Sequence, residues 1–185
     1  TGSGTYTLGS ALDINGNLNI ASGLLDASSY SATVGGNFIN YGGFTKGTST
    51  VTLDGTGNQT VSGSTIFHAL TATTSAARTI FFDYSGRQSA SGSLTLRGVA
   101  GNRLSIRSTR TGSGSRIDLD ADATQLSTDF AYLDIQDSDA GSGQTLVCTV
   151  FEGCRDTGNN INWTIGSYYT IAGSVYTDEG TTGIS

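Results

Sequence analysis

Residues 11–63, ALDINGNLNIASGLLDASSYSATVGGNFINYGGFTKGTSTVTLDGTGNQTVSG, contain one short motif twice and a looser copy of it a third time. The sequence GNL at residues 16–18 returns as GNF at residues 36–38, and Gly23-Leu24 returns as Gly43-Phe44. The looser copy lies in residues 52–63. A period of about 20 residues, with glycines in register, is typical of a stacked repeat.

The apolar residues of each copy alternate with polar ones, which indicates β-strands. The turn dipeptide Asn15-Gly16 is compatible with antiparallel hairpins in a sandwich. In a sandwich, however, turns need not recur at one offset, whereas a coil that rises about 4.8 Å per turn places equivalent residues side by side. We therefore predict a coil in which Asn17 stacks on Asn37 and Leu18 stacks on Phe38.

The composition excludes several classes of protein. Charged residues make up only 13% of the chain, but 36% are apolar and alternate regularly, which favours packed strands over disorder. A net charge of −6 argues against a nucleic-acid partner, because phosphate binding needs a cationic surface. The sequence also lacks a run of about 18 apolar residues, so we predict no insertion into a membrane.

Beyond residue 69 the period loosens, while strand-like alternation continues and no long amphipathic helical pattern occurs. We predict an all-β fold with a parallel β-helix, or solenoid, over residues 1–166. Trp163 is expected to close its last turn. Residues 167–185 are expected to form a short C-terminal extension outside the helix, either a strand of a second β-module or an inter-subunit strand.

The two cysteines are Cys148 and Cys154. A pair this close suits a small disulfide-closed loop better than a metal site, which needs more ligands. A disulfide predicts an oxidising, extracellular compartment. Two buried free thiols are the alternative.

These motifs resemble a known class of repeats. GNLNI at 16–20, GNF at 36–38 and TLDGTGNQTV at 52–61 are similar to the repeats of large secreted bacterial surface proteins, the filamentous-haemagglutinin-like and autotransporter-like adhesins. GNNINW at 158–163 resembles the end of such repeat blocks, and IAGSVYTD at 171–178 resembles the opening strand of an immunoglobulin-like module. The resemblance covers residues 9–166. It implies a right-handed parallel β-helix with an extracellular structural or adhesive role, and it carries over no catalytic residue.

The best candidate for a specific site is acidic. In a strand, residues at alternate positions share a face, so Asp118, Asp120 and Asp122 are expected to line up. A row of like charges needs neutralisation, and Ca²⁺ takes such oxygen ligands. The favoured alternative is a solvated outer face, with cross-turn ion pairs to the arginines of residues 97–116.

An enzyme is a minor alternative. Polysaccharide lyases and hydrolases also use β-helices, with several charged residues on adjacent turns. Here the only lysine, Lys46, is far in sequence from the Asp/Arg region, and the only histidine, His68, is expected to be structural. We predict no catalytic residue and no cofactor other than the Ca²⁺ candidate.

We therefore expect a subunit or segment of a bacterial surface filament, sheath or adhesin that self-associates end to end. The open ends of a coil present unpaired backbone that a further copy can extend. The residues expected to mediate assembly lie in the two terminal strands: Thr5, Tyr6, Thr7, Leu8, Tyr169, Ile171 and Val175. The alternative is a β-helix that binds or cleaves carbohydrate, with glycans as partners.

Overall fold

The computed structural model describes residues 3–149 and 151–166, which consist of short strands joined by turns. The strands of these residues pair in parallel with strands one turn earlier and one turn later. Together they form a parallel β-solenoid of about seven turns. The predicted all-β solenoid is confirmed. The predicted extension, with Tyr169, Ile171 and Val175, lies outside the described residues.

Each turn crosses three faces, which we call A, B and C in chain order. Face A begins with β1 (Thr5–Thr7), β4 (Leu24–Asp26) and β7 (Gly43–Thr45). Face B begins with β2 (Leu12–Ile14), β5 (Ala32–Val34) and β8 (Thr50–Leu53). Face C consists of β3 (Leu18–Ile20), β6 (Phe38–Asn40), β9 (Gln59–Gly63), β11 (Arg78–Phe82), β13 (Leu104–Ser108), β16 (Leu133–Ile135) and β19 (Arg155–Asp156).

In the fourth and fifth turns, single long strands replace the separate strands of faces A and B. These are β10 (Thr65–Thr73) and β12 (Arg87–Arg97). Their pairing register shifts between Phe67 and Ala69, where the chain passes from one face to the next. The second half of β10 also pairs with β8. In the middle of the solenoid, these two strands therefore make faces A and B continuous.

In the last turns, faces A and B again consist of separate strands. The strand β14 (Ser115–Leu119) pairs with the first half of β12, and β15 (Phe130–Ala131) pairs with its end. The remaining strands are β17 (Ser138–Asp139), β18 (Leu146–Cys148) and β20 (Trp163–Ile165). Here β17 pairs with β14, and β20 pairs with β18.

The predicted stacking of the opening repeat is confirmed. Leu18 and Phe38 are register partners on face C. The backbone N–H of Asn37 donates to Asn17 Oδ1 at 2.7 Å, and the N–H of Thr60 donates to Asn37 Oδ1 at 2.8 Å. Each asparagine at this corner therefore satisfies a backbone donor of the following turn, just before face C begins.

Inward-facing side chains of all three faces meet in one apolar core. Near its N-terminal end, the ring of Phe38 lies 5.8 Å from Phe44 and 5.2 Å from Phe67. At the other end, Trp163 is partly buried and packs 5.5 Å from Phe130. Between these aromatic groups the core consists mostly of fully buried Val, Leu and Ile, as a stack of β-strands requires.

Candidate functional site

The three candidate Ca²⁺ ligands are not brought together. The strand β14 ends at Leu119, so Asp118 is the only one of the three that belongs to it. Asp122 is exposed in the loop that directly follows this strand. Asp118 is buried, where its carboxylate accepts from Arg87 Nε at 2.8 Å and from the N–H of Ser142 at 3.0 Å. Within residues 3–149 and 151–166, no three His, Cys, Asp or Glu residues are arranged to hold a metal ion.

Cross-turn ion pairs occur, but with other partners than the sequence pattern indicated. Asp118 pairs with Arg87, and Arg107 Nη2 lies 2.7 Å from Asp134 Oδ1. The guanidinium of Arg110 instead stacks 5.3 Å from the ring centroid of Tyr84. The side chain of Arg116 is exposed and makes no hydrogen bond or ion pair within the part of the chain that the structure describes.

The predicted disulfide between Cys148 and Cys154 is confirmed. It links the end of β18 to the residue just before β19 of face C, in the seventh turn. The carboxylate of Glu152 accepts hydrogen bonds from the Thr149 hydroxyl and, at 2.7 Å, from the Thr149 N–H. These bonds, the hydroxyl's above all, lower the pKa of Glu152.

The N-terminal residues expected to mediate assembly lie at the first turn. Thr5, Tyr6 and Thr7 form β1, which is the edge strand of face A, and Leu8 follows it. Next to β1 an apolar pocket of about 420 Å³ opens between faces C and A. Its apolar lining consists of Tyr6, Leu18, Ile20, Ala21, Leu24 and Leu25.

His68 lies half-buried in β10, where its ring faces Gly92 of the next turn. A side chain on Gly92 would approach the His68 ring to 2.7 Å. His68 is thus packed within the sheet between two turns.

A concavity with a glycine floor runs along the corner between faces C and A. Glycines occupy this corner in successive turns: Gly42, Gly63, Gly86 and Gly114. A Cβ on Gly63 would lie 1.8 Å from the carbonyl oxygen of Asn40, and one on Gly86 would lie 1.8 Å from that of Gly63. The turns can therefore stack this closely only without side chains, and the corner keeps a floor of bare backbone.

Two pockets open on this floor and share Ser85 and Gly86, so they form one groove, which we call the CA groove. The first pocket, of about 350 Å³, is lined by Asn40, Tyr41, Gly42, Gly63, Ser64, Asp83, Ser85 and Gly86. The second, of about 270 Å³, is lined by Tyr84, Ser85, Gly86, Gly114, Arg116, Asp139, Asn159 and Ile161. Tyr41 is 67% exposed and Tyr84 is 46% exposed. The CA groove thus combines polar walls with two accessible aromatic rings.

Asp83 fixes the turn in the middle of the CA groove. Its carboxylate accepts from the N–H of Ser85 at 3.0 Å, from the hydroxyl of Ser85 at 2.8 Å and from the N–H of Gly63 at 3.3 Å. Partial burial raises the pKa of Asp83, but these hydrogen bonds outweigh it and leave the pKa below its usual value. Asp83 is therefore ionised at neutral pH.

Asn40 supplies a polar atom that has no partner. Its side chain is 3% exposed, and its Nδ2 donates to Thr65 Oγ1 at 3.0 Å. Its Oδ1 accepts no hydrogen bond within the described part of the chain, although Asn40 lines the first pocket. A buried acceptor without a donor is uncommon in folded proteins.

Sequence reasoning missed the CA groove, whose residues are far apart in the chain. One signal was present: Tyr41 directly precedes Gly42, and Tyr84 precedes Gly86 by two residues. A tyrosine one or two residues before a turn glycine, in two turns of the coil, marks a corner where a ring lies near bare backbone.

No family model matches the chain, and no curated protein or solved structure is detectably similar to it. In the described residues there is also no helix that is long and apolar enough to span a membrane.

Proposed function

We propose that this chain is an extracellular structural protein, a subunit or segment of a bacterial surface filament, sheath or adhesin, extended by end-to-end stacking of turns. The observation that carries the proposal is the first turn of the described residues, in which β1, β2 and β3 pair on one side only and are the edge strands of all three faces. The disulfide supports an oxidising compartment. The resemblance of the repeats to secreted surface adhesins agrees with this role.

The backbone of the first turn has hydrogen-bonding groups that point away from the solenoid. The N–H of Leu12 donates to the Ser31 carbonyl, and the Ile14 carbonyl accepts from the N–H of Gly35. Successive residues of a parallel strand bond to opposite sides, so the N–H and C=O of Asp13 point to the open edge. Exposed parallel edges of this kind pair readily with another strand.

The edge of face C repeats this geometry. The N–H of Leu18 donates to the Asn37 carbonyl, and the Ile20 carbonyl accepts from the N–H of Tyr41. The backbone of Asn19 therefore has no partner among the residues that the structure describes. The apolar pocket beside β1 lies at the same end. A further parallel turn would pair these edges and bury the pocket, and in solution a second copy of this chain can supply that turn.

Proline at the outward-facing positions tests the proposal. Asp13→Pro with Asn19→Pro removes two edge donors and no hydrogen bond within the chain, since proline is tolerated on edge strands. We expect the wild-type chain to form concentration-dependent end-to-end oligomers in sedimentation velocity and elongated particles in electron micrographs. The double proline variant should shift this association to at least about tenfold higher concentration.

The matched control is Asp13→Ala with Asn19→Ala, which removes the same side chains and keeps both backbone donors. This variant should associate like the wild type. A wild-type chain that stays monomeric at every accessible concentration would refute assembly through this end. Equal loss of association in both double variants would show that the side chains, and not the backbone edges, are responsible.

A further inference from the structure

We infer that the CA groove binds a linear saccharide whose chain runs along the solenoid axis. This binding function goes beyond the structural role and does not depend on it. The CA groove begins in the second turn, whereas the proposed assembly edge is the first turn.

The two tyrosines have the spacing and accessibility that suit a repeating ligand. Tyr41 follows the second strand of face C and Tyr84 follows the fourth, so they are two turns apart, about 10 Å along the axis. Arg110 stacks on one face of Tyr84 at 5.3 Å and favours this orientation of its ring. A preoriented aromatic ring offers apolar contact area at a low entropic cost, which suits the C–H faces of a pyranose.

Polar groups on both sides of these rings match hydroxyl groups. In the first pocket Ser64 and Ser85 are among the lining residues, together with the glycine backbone of the floor. In the second pocket Arg116 is the register partner of Asp139, yet the two side chains form no ion pair. Among the described residues the forked donors of Arg116 have no partner, and they can bind a pair of hydroxyls or a carboxylate of a ligand.

The charge and shape of the CA groove narrow the ligand class. The charged lining residues are the carboxylates Asp83 and Asp139 and the cation Arg116, and Arg110 lies next to the groove on Tyr84. These described residues do not give the groove the net positive charge that a nucleic acid requires. Its pockets are shallow, and they continue from turn to turn over a glycine floor. An open, repeating groove of this kind suits an extended polymer better than a small molecule, which needs an enclosing cavity.

Calorimetric titration of the purified chain with two oligosaccharides tests the inference. The probes are a β-1,4-linked glucose hexasaccharide, which is neutral, and an α-1,4-linked galacturonate hexasaccharide, which carries carboxylates. We expect at least one of them to bind, and Tyr84→Ala to weaken that binding by about tenfold through loss of the stacking surface. Tyr84→Phe keeps the ring and should retain most of the affinity.

Tyr30→Ala is the matched control, because Tyr30 is 39% exposed at the corner between faces A and B and is absent from the linings of both groove pockets. It should leave binding unchanged, as should the double proline variant of the first turn. Arg116→Ala distinguishes the two probes, since it should weaken the binding of the galacturonate hexasaccharide more than the binding of the glucose hexasaccharide. The inference is overturned if neither hexasaccharide binds, or if Tyr30→Ala weakens binding as much as Tyr84→Ala does.

Discussion

At the scale of single residues, close backbone contacts between turns depend on glycines, including those at the corner between faces C and A. Gly86→Ala would place a methyl group 1.8 Å from the Gly63 carbonyl oxygen, and backbone atoms cannot move aside as a flexible side chain can. We expect this substitution to destabilise the protein by about 2 kcal/mol or more. In circular dichroism, the thermal unfolding midpoint should fall by about 5 °C or more.

Gly16→Ala provides the comparison, because a methyl group there meets no atom within 4 Å. It reduces the freedom of the unfolded chain, so the midpoint should stay the same or rise slightly. Equal destabilisation by both substitutions would mean that loss of glycine flexibility, and not crowding between turns, sets the cost.

Sequence alone predicts residues whose role repeats and misses those whose partner in a neighbouring turn is not marked by a fixed offset. The stacking of Asn17 on Asn37 followed from the 20-residue offset. The partner of Asp118 did not, because Arg87 lies 31 residues earlier and the strand ends before Asp120. Tyr84 was missed for the same reason, since its surroundings come from separate turns.

At the scale of elements, the loss of the period beyond residue 69 has a structural cause. The first turns use three short strands each, whereas β10 and β12 extend over nine and eleven residues and cover two faces. Corner residues that repeat in the first turns are absent there, so the sequence no longer shows the 20-residue spacing even though parallel pairing continues. Regular alternation predicts such strands, but not the bend within them.

The disulfide is expected to stabilise the last turns of the solenoid. Both sulfurs are buried, and the bridge closes a loop at a corner where the core ends. Replacing both cysteines by serine should destabilise this region by about 2 kcal/mol, because the open loop has more freedom in the unfolded chain. The thermal midpoint should fall by about 5 °C.

Reductant gives an independent check of the same bond. Dithiothreitol should lower the midpoint of the wild-type protein to that of the Cys148→Ser, Cys154→Ser variant and leave the variant itself unchanged. A reductant effect on the variant, or none on the wild type, would contradict a stabilising role for the disulfide.

At the scale of the whole molecule, each turn contacts only its neighbours, so stability should vary along the axis. The side chains of β11 and β13 that point inward are fully buried, while Leu12 and Leu18 of the first turn are only half-buried. Hydrogen–deuterium exchange should therefore be slowest over residues 65–108 and fastest over residues 5–26. Uniform protection would instead indicate a single cooperative unit.

The same measurement connects stability with assembly. If a second copy covers the first turn, amide protection of residues 5–20 should increase with protein concentration, since binding stabilises only the folded end that it covers. The variant with Asp13→Pro and Asn19→Pro should lose this increase, whereas the corresponding double alanine variant should keep it. Protection of the central turns should not depend on concentration in any of the three proteins, because their edges are already paired within the chain. A concentration-dependent change in residues 65–108 that spares the first turn would place the contact on the flank of the solenoid, and the end-to-end proposal would then fail.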